Sequence, residues 1–128
     1  MAHIEDCKRD TLELMRKVDG LIAVMITDRE GVPLIKVVNE MCEQTMTGRP
    51  TFVAANFTAG VEQAGKLGIG QCHTIVTRYH NYQIVHFNKD KLIVALIANT
   101  NANIGELLAL EDEFDLICQE FRHCVEYN

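Results

Sequence analysis

The chain has 128 residues, 48% of them hydrophobic and 23% charged, which is enough for one compact domain with its own core and ordinary for a soluble globular protein. Its net charge is −6 with Lys plus Arg numbering 12, a balance that argues against a nucleic-acid binder and against a purely electrostatic grip on anionic lipid. The longest apolar run, Leu92 to Ala98, falls far short of the roughly 20 residues of a membrane-spanning helix, and cysteines at 7, 42, 72, 118 and 124, with no Cys-x-x-Cys, read as reduced thiols.

Residues 5–18 are expected to form a first helix, with Leu12, Met15 and Val18 at three-residue steps and Asp19-Gly20 as its stop. Leu21 to Thr27 is a strand apolar on both faces, with Leu21, Ala23 and Met25 on one and Ile22, Val24 and Ile26 on the other. It therefore belongs in the middle of a sheet. The charged tetrapeptide Asp28-Arg29-Glu30-Gly31 is read as a hairpin rather than an active site. Gly31 can supply a positive φ, Asp28 can bond the turn backbone, and Arg29 and Glu30 are expected to point into water or toward a partner. Val32 to Val38 contains Pro33 and Lys36, which sends it to an edge.

Residues 39–50 form a polar, irregular loop. Thr51 can cap a second helix over about Phe52 to Leu67. Its buried stripe would be Val53, Phe57, Gly60, Ala64 and Leu67, and the rest of its surface is small, with Ala54, Ala55, Thr58, Ala59 and Gly65. Gly68 and Gly70 end it. Three strands follow: Cys72 to Arg78, mixed and edge-like; Tyr82 to Phe87, intermediate; and Lys91 to Ala98, apolar on both faces and central. Their links are short enough for hairpins. A last helix begins near Asn103, with Glu106 completing a capping-box pattern, and carries Leu107, Leu110, Phe114, Ile117, Phe121 and Val125 over about six turns.

The element order is α-β-β-α-β-β-β-α in a single domain over 1–128, an α/β sandwich. Two strands want the centre and two hairpins fix their neighbours, so the antiparallel five-stranded sheet has the order 2-1-5-4-3, with helices on both faces. The third strand is then left as a long unprotected edge, a liability unless something pairs with it.

No catalytic constellation emerges. Gly60 to Leu67, "GVEQAGKL", nearly matches a phosphate loop, but Leu67 stands where the magnesium-binding hydroxyl belongs and the stretch closes a helix instead of opening one. Cys72-His73 and His123-Cys124 are adjacent pairs that cannot share a site on a strand or a helix, so neither a metal nor any other cofactor is called for. His80 is expected at a turn and His86 on a strand surface. The carboxylates of Leu110 to Asp115, "LEDEFD", are read as a solvated acidic face. "NFT" at Asn56 fits a glycosylation sequon but falls in a predicted helix, so it is discounted. Neither end of the sequence carries a secretory, myristoylation or prenylation pattern, so direct membrane insertion is not expected and a membrane address would come from a partner.

"DREGVPLIKV" (28–37), "GKLGIG" (65–70), "NYQIVHFN" (81–88) and "IANTNANIG" (97–105) resemble the Roadblock/dynein-light-chain family over nearly the whole domain. Within it, the likeness is to the kinase-scaffold branch that serves the Ragulator complex. The resemblance implies a non-enzymatic adaptor that pairs with a second Roadblock protein through the second helix and third strand. It also implies a lipid-anchored Ragulator subunit that holds the pair on late endosomes and lysosomes. Rag GTPases, in amino-acid signalling to the TOR kinase, and the MEK and ERK kinases are the further implied partners. Ala55, Thr58, Ala59, Ile75, Val76 and Thr77 are the expected partner-binding residues. The alternative is a homodimeric Roadblock protein acting as a dynein light chain or small-GTPase co-regulator.

Overall fold

The structure, a computed structural model, describes residues 4–39 and 60–126, with side chains to residue 123. Helix α1 (Ile4–Arg16) precedes strands β1 (Leu21–Asp28) and β2 (Pro33–Val38). Residues 60–65 are helical. Strands β3 (Thr74–Arg78), β4 (Tyr82–Lys89) and β5 (Leu92–Asn99) follow, then α2 (Ile104–Leu108) and α3 (Glu111–Glu126). The sheet order is β2-β1-β5-β4-β3 and every pairing is antiparallel, as expected.

The centre of the sheet is β1 against β5. Both are buried from their first residue to the last but one. One face of the sheet, with Val24, Ile26, Val85, Phe87, Val94 and Leu96, packs with Cys7, Leu14 and Met15 of α1 and Phe114, Ile117 and Phe121 of α3. The other face carries a second cluster of Ile22, Ala23, Met25, Ile84, Ala95 and Ile97. Each such side chain, fully buried, contributes about 1.5–3 kcal/mol from removal of apolar area from water. Residues 52–59 of the predicted second helix lie outside the described residues. Its end reaches this second face: a Cβ on Gly60 would sit 3.0 Å from Ile75 Cδ1.

Several local expectations need correction. The buried stripe of α1 is Cys7, Thr11, Leu14 and Met15, continued by Val18, while Leu12 is exposed. The Thr11 hydroxyl satisfies itself on Cys7 O at 2.8 Å, which lets a polar residue sit in the stripe. Register slips between Leu21 and Ala23, so Leu21 joins the cluster of Val24 and Ile26, and Ile22 that of Ala23 and Met25. Strand β4 is not intermediate but buried from Gln83 to Asn88. Leu67, expected in the core, is exposed: the helix has ended at residue 65, and Gly68 turns the chain at φ 71°. Cys72, His73 and Lys91 fall just outside their strands.

The last helix is two helices. The Asn103 side chain accepts from Glu106 N at 3.1 Å, as a cap should. At Leu110 the chain tightens, and its N–H bonds Leu107 O, three residues back, at 3.2 Å. Leu107, Leu110 and Phe114 all stay buried through the break, so periodicity alone could not reveal it.

Gly20 has φ +89° and an added Cβ would lie 2.6 Å from Asn99 Oδ1 and 3.0 Å from Ala102 Cβ. Gly20→Ala is expected to cost about 1–3 kcal/mol in urea unfolding, as a lower midpoint with an unchanged slope.

Candidate functional site

The Asp28–Gly31 tetrapeptide is a hairpin. Asp28 Oδ1 accepts from Glu30 N and Val32 N, each at 2.9 Å, and Gly31 takes φ 93°. Arg29 is exposed, as expected, but it is also tied down. Its Nη1 donates to Asn88 Oδ1 at 2.9 Å and to Asp90 O at 2.6 Å, tying this hairpin to the end of β4 and the turn after it. Asn88 carries the link onward, with Nδ2 donating to Cys72 O at 3.0 Å and its backbone N to His73 O at 2.8 Å. At the other end of β4, buried Gln83 donates through Nε2 to Asn99 O at 3.0 Å and Ala102 O at 2.8 Å, holding the loop before α2. These are structural joints, with no nucleophile beside a base.

The acidic stretch is only partly solvated. Glu111 and Asp115, one turn apart on α3, both reach Lys89 Nζ at 2.7 Å, and Glu113 pairs with Lys17 at 3.4 Å. The Lys89 side chain is 12% exposed, and its ammonium lies 5.8 Å from the centre of the Phe87 ring. Burial pushes the Lys89 pKa down, but hydrogen bonds and charge from Asp115 and Glu111 outweigh it and hold the group above its usual 10.5. Sequence reasoning missed this cluster because its two halves stand on different elements.

His80 is exposed at a bend, as expected. His86 is 3% exposed and faces the second core cluster rather than solvent, opposite Ile75 and Ala95. Cys7 and Cys118 are buried thiols, and burial pushes Cys118 up to about 11. Among the described residues, no three His, Cys, Asp or Glu side chains converge as metal ligands. Gly60 and Gly65 both lie within the helical residues 60–65, not in a phosphate loop.

The remaining candidate is the β3 edge. Tyr79 N donates to Tyr82 O and Asn88 N to His73 O, so Ile75 and Thr77 also point their backbone groups inward to β4. Thr74, Val76 and Arg78 therefore turn theirs outward to an open edge. Val76 is 40% exposed and Tyr79 51%, with Leu67 and Ile69 exposed on the approach to the strand. Ile75 and Thr77, half-buried, share the sheet face of Ile84 and His86, where Gly60 packs. Ala55, Thr58 and Ala59 lie outside the described residues.

The sequence profile of a family described as mitogen-activated protein kinase kinase 1 interacting matches residues 5–125. The chain belongs to this family. It is 38% identical over 122 residues to the Ragulator complex protein LAMTOR3 of Pagrus major, covering 95% of this chain and 97% of that one. It is 39% identical over 122 residues to LAMTOR3-A of Xenopus laevis, covering 94% and 97%. Solved structures share the fold at far lower identity. A Roadblock/LC7 domain from Streptomyces avermitilis aligns with TM-score 0.71 at 11% identity, over 93% of this chain and 97% of that one. MglB of Myxococcus xanthus aligns at 0.70 and 14%, over 93% of each. The fold is thus the Roadblock/LC7 fold, and the kinase-kinase-interacting family to which the chain belongs is not an enzyme family.

Replacing Lys89 by Met leaves Glu111 and Asp115 facing each other without a cation, at an expected cost of about 1–2 kcal/mol at pH 7 by chemical denaturation. The folded-state pKa lies above the unfolded one, so the ion cluster's contribution is full below about pH 10.5 and fades as pH rises through the folded value. The gap between wild type and Lys89→Met should shrink over that range. Iodoacetamide at pH 8 should leave Cys7 and Cys118 unmodified in the folded protein and alkylate both in urea, as mass spectrometry of peptides would read.

Proposed function

We propose that this chain is a scaffold subunit of a Ragulator-like complex, a single Roadblock domain that works by presenting surfaces to other proteins. Its relatives in fish and frog are Ragulator complex proteins, and the family it belongs to is described by interaction with a kinase kinase. The observation that carries the reading is the open β3 edge, with outward backbone groups at Thr74, Val76 and Arg78 and exposed apolar side chains at Val76 and Tyr79. Such an edge binds by adding a strand, which gives affinity without catalytic groups.

In this reading a second Roadblock protein pairs with β3 and the preceding helix, so that two sheets become one. Ile75, Val76 and Thr77 lie at the seam, with Ala55, Thr58 and Ala59 from the helix. No described helix is long and apolar enough to cross a membrane. A lipid-anchored subunit then supplies the attachment to the cytoplasmic face of late endosomes and lysosomes. There the pair recruits Rag GTPases for TOR signalling and brings MEK and ERK together.

Val76→Pro tests the seam cleanly, because the N–H it removes points away from β4 and the internal ladder is spared. Co-expressed with a second Ragulator Roadblock subunit, the wild type should purify as a one-to-one complex. The variant, folded by circular dichroism, should lose at least tenfold in affinity. Unimpaired pairing by Val76→Pro would refute the placement, and a wild type that pairs only with itself would favour a homodimeric Roadblock protein.

A further inference from the structure

The opposite edge of the sheet is built differently. Strand β2 lies beside α1, and between them runs a groove of about 520 Å³ lined by Leu12, Met15, Arg16, Lys36, Val37 and Val38 with Asn39 at its end. Leu12 faces it at 36% exposure, off the buried stripe of Cys7, Leu14 and Met15. Asn39 N donates to Ile22 O at 2.8 Å, so alternation along the ladder turns the N–H and C=O of Lys36 and Val38 outward, away from β1. Pro33 and the register slip between Ile26 and Thr27 close the near end, leaving residues 35–38 as the usable edge.

The charge on this edge selects the occupant. Arg16 and Lys36 are both exposed, and among the described residues neither pairs with a carboxylate, although the chain carries net charge −6. A second copy offering the same edge would set cation against cation, a repulsion that rejects self-pairing. An acidic strand meets no such penalty. Side chains along an added strand alternate between faces. One set would enter the groove over Leu12, Met15 and Val37, and the other would lie beside Lys36.

We propose that the β2 edge takes up an extended segment of another protein, apolar and acidic in alternation, as a sixth strand of the sheet. Its apolar side chains fill the α1–β2 groove, its carboxylates lie beside Lys36 on the other face, and its backbone pairs with Lys36 and Val38. This site lies at the far end of the sheet from β3 and stands whether or not a Roadblock partner occupies that edge.

The test uses the full chain and an acetylated octapeptide of alternating Val and Glu, titrated by calorimetry against the matching Val–Lys peptide. Saturable binding is expected for Val–Glu alone. The variant Lys36→Glu should weaken Val–Glu at least tenfold and gain affinity for Val–Lys. N-methylation of the peptide amides on its pairing side should abolish binding with the protein unaltered, which keeps the proposal falsifiable if the variant misfolds. Amide exchange at Lys36 and Val38 should slow on binding. No saturable binding of Val–Glu, equal binding of Val–Lys, undiminished binding of the N-methylated peptide, or self-association of the chain through this edge would each overturn it.

Discussion

Pairing of β1 with β5 is the constraint on which the rest of the molecule depends. The ladder runs from Leu21 opposite Ala98 to Asp28 opposite Leu92, and both strands are buried on both faces. Two doubly apolar strands gain most by lying together in the middle, where each covers the other's edge and both faces await cover. The three short hairpins then leave no freedom. β2 must flank β1, β4 must flank β5, and β3 goes outermost. The α1–α3 layer follows from the same cause, since it buries one of the two apolar faces that the central pair creates.

Burial makes the sheet but does not fix where its ends go. Polar joints do that. Gln83 and Asn88 stand near the two ends of β4, both buried, and each binds backbone of a neighbouring segment. Asn88 also accepts from Arg29, so one amide connects the β1–β2 turn, β4 and the approach to β3. A buried amide left without partners would cost about 1–3 kcal/mol, so each joint favours a single arrangement of its loop over the alternatives. Lys89 does the same for α3, holding it by Glu111 and Asp115 at the point where the chain has just broken from α2.

What the sequence made legible follows from this division. Strand order could be reasoned from apolar patterning and loop length, because those are local in the chain. The hairpin at Asp28–Gly31 and the Asn103 cap were legible because turn chemistry is local as well. Arg29, Lys89, Gln83 and His86 were not, because each takes its role from a residue on another element. Arg29 looks like any solvent-facing turn residue until Asn88, 59 positions away, comes beside it. His86 looks like a surface residue because histidine is polar, yet its strand has neighbours on both sides and Ile84 and Ala95 around it. "NYQIVHFN" carried the family resemblance, and two of its polar residues, Gln83 and Asn88, are the joints just described, so the motif most useful for recognition is also a structural one. The β3 edge emerged as a candidate by elimination of a neighbour, not by any residue that announces binding.

The two free edges of the sheet answer one problem in different ways. An exposed strand edge offers unpaired donors and acceptors to any chain that passes, and a protein must either blunt it or assign it. β3 carries no proline and no bulge, and exposes Val76 within the strand and Tyr79 just after it, which leaves this edge unblunted. β2 carries both devices, Pro33 and a register slip, together with Lys36, yet the blunting stops short: residues 36 and 38 remain open beside an apolar groove. Full protection would place a bulge or a covering segment there too. An edge that repels its own kind and admits an acidic strand would be more specific than a bare edge, because one lysine would do both. If both edges are used as proposed, specificity at β2 would come from charge, and at β3 from the shape and composition of the partner's own edge.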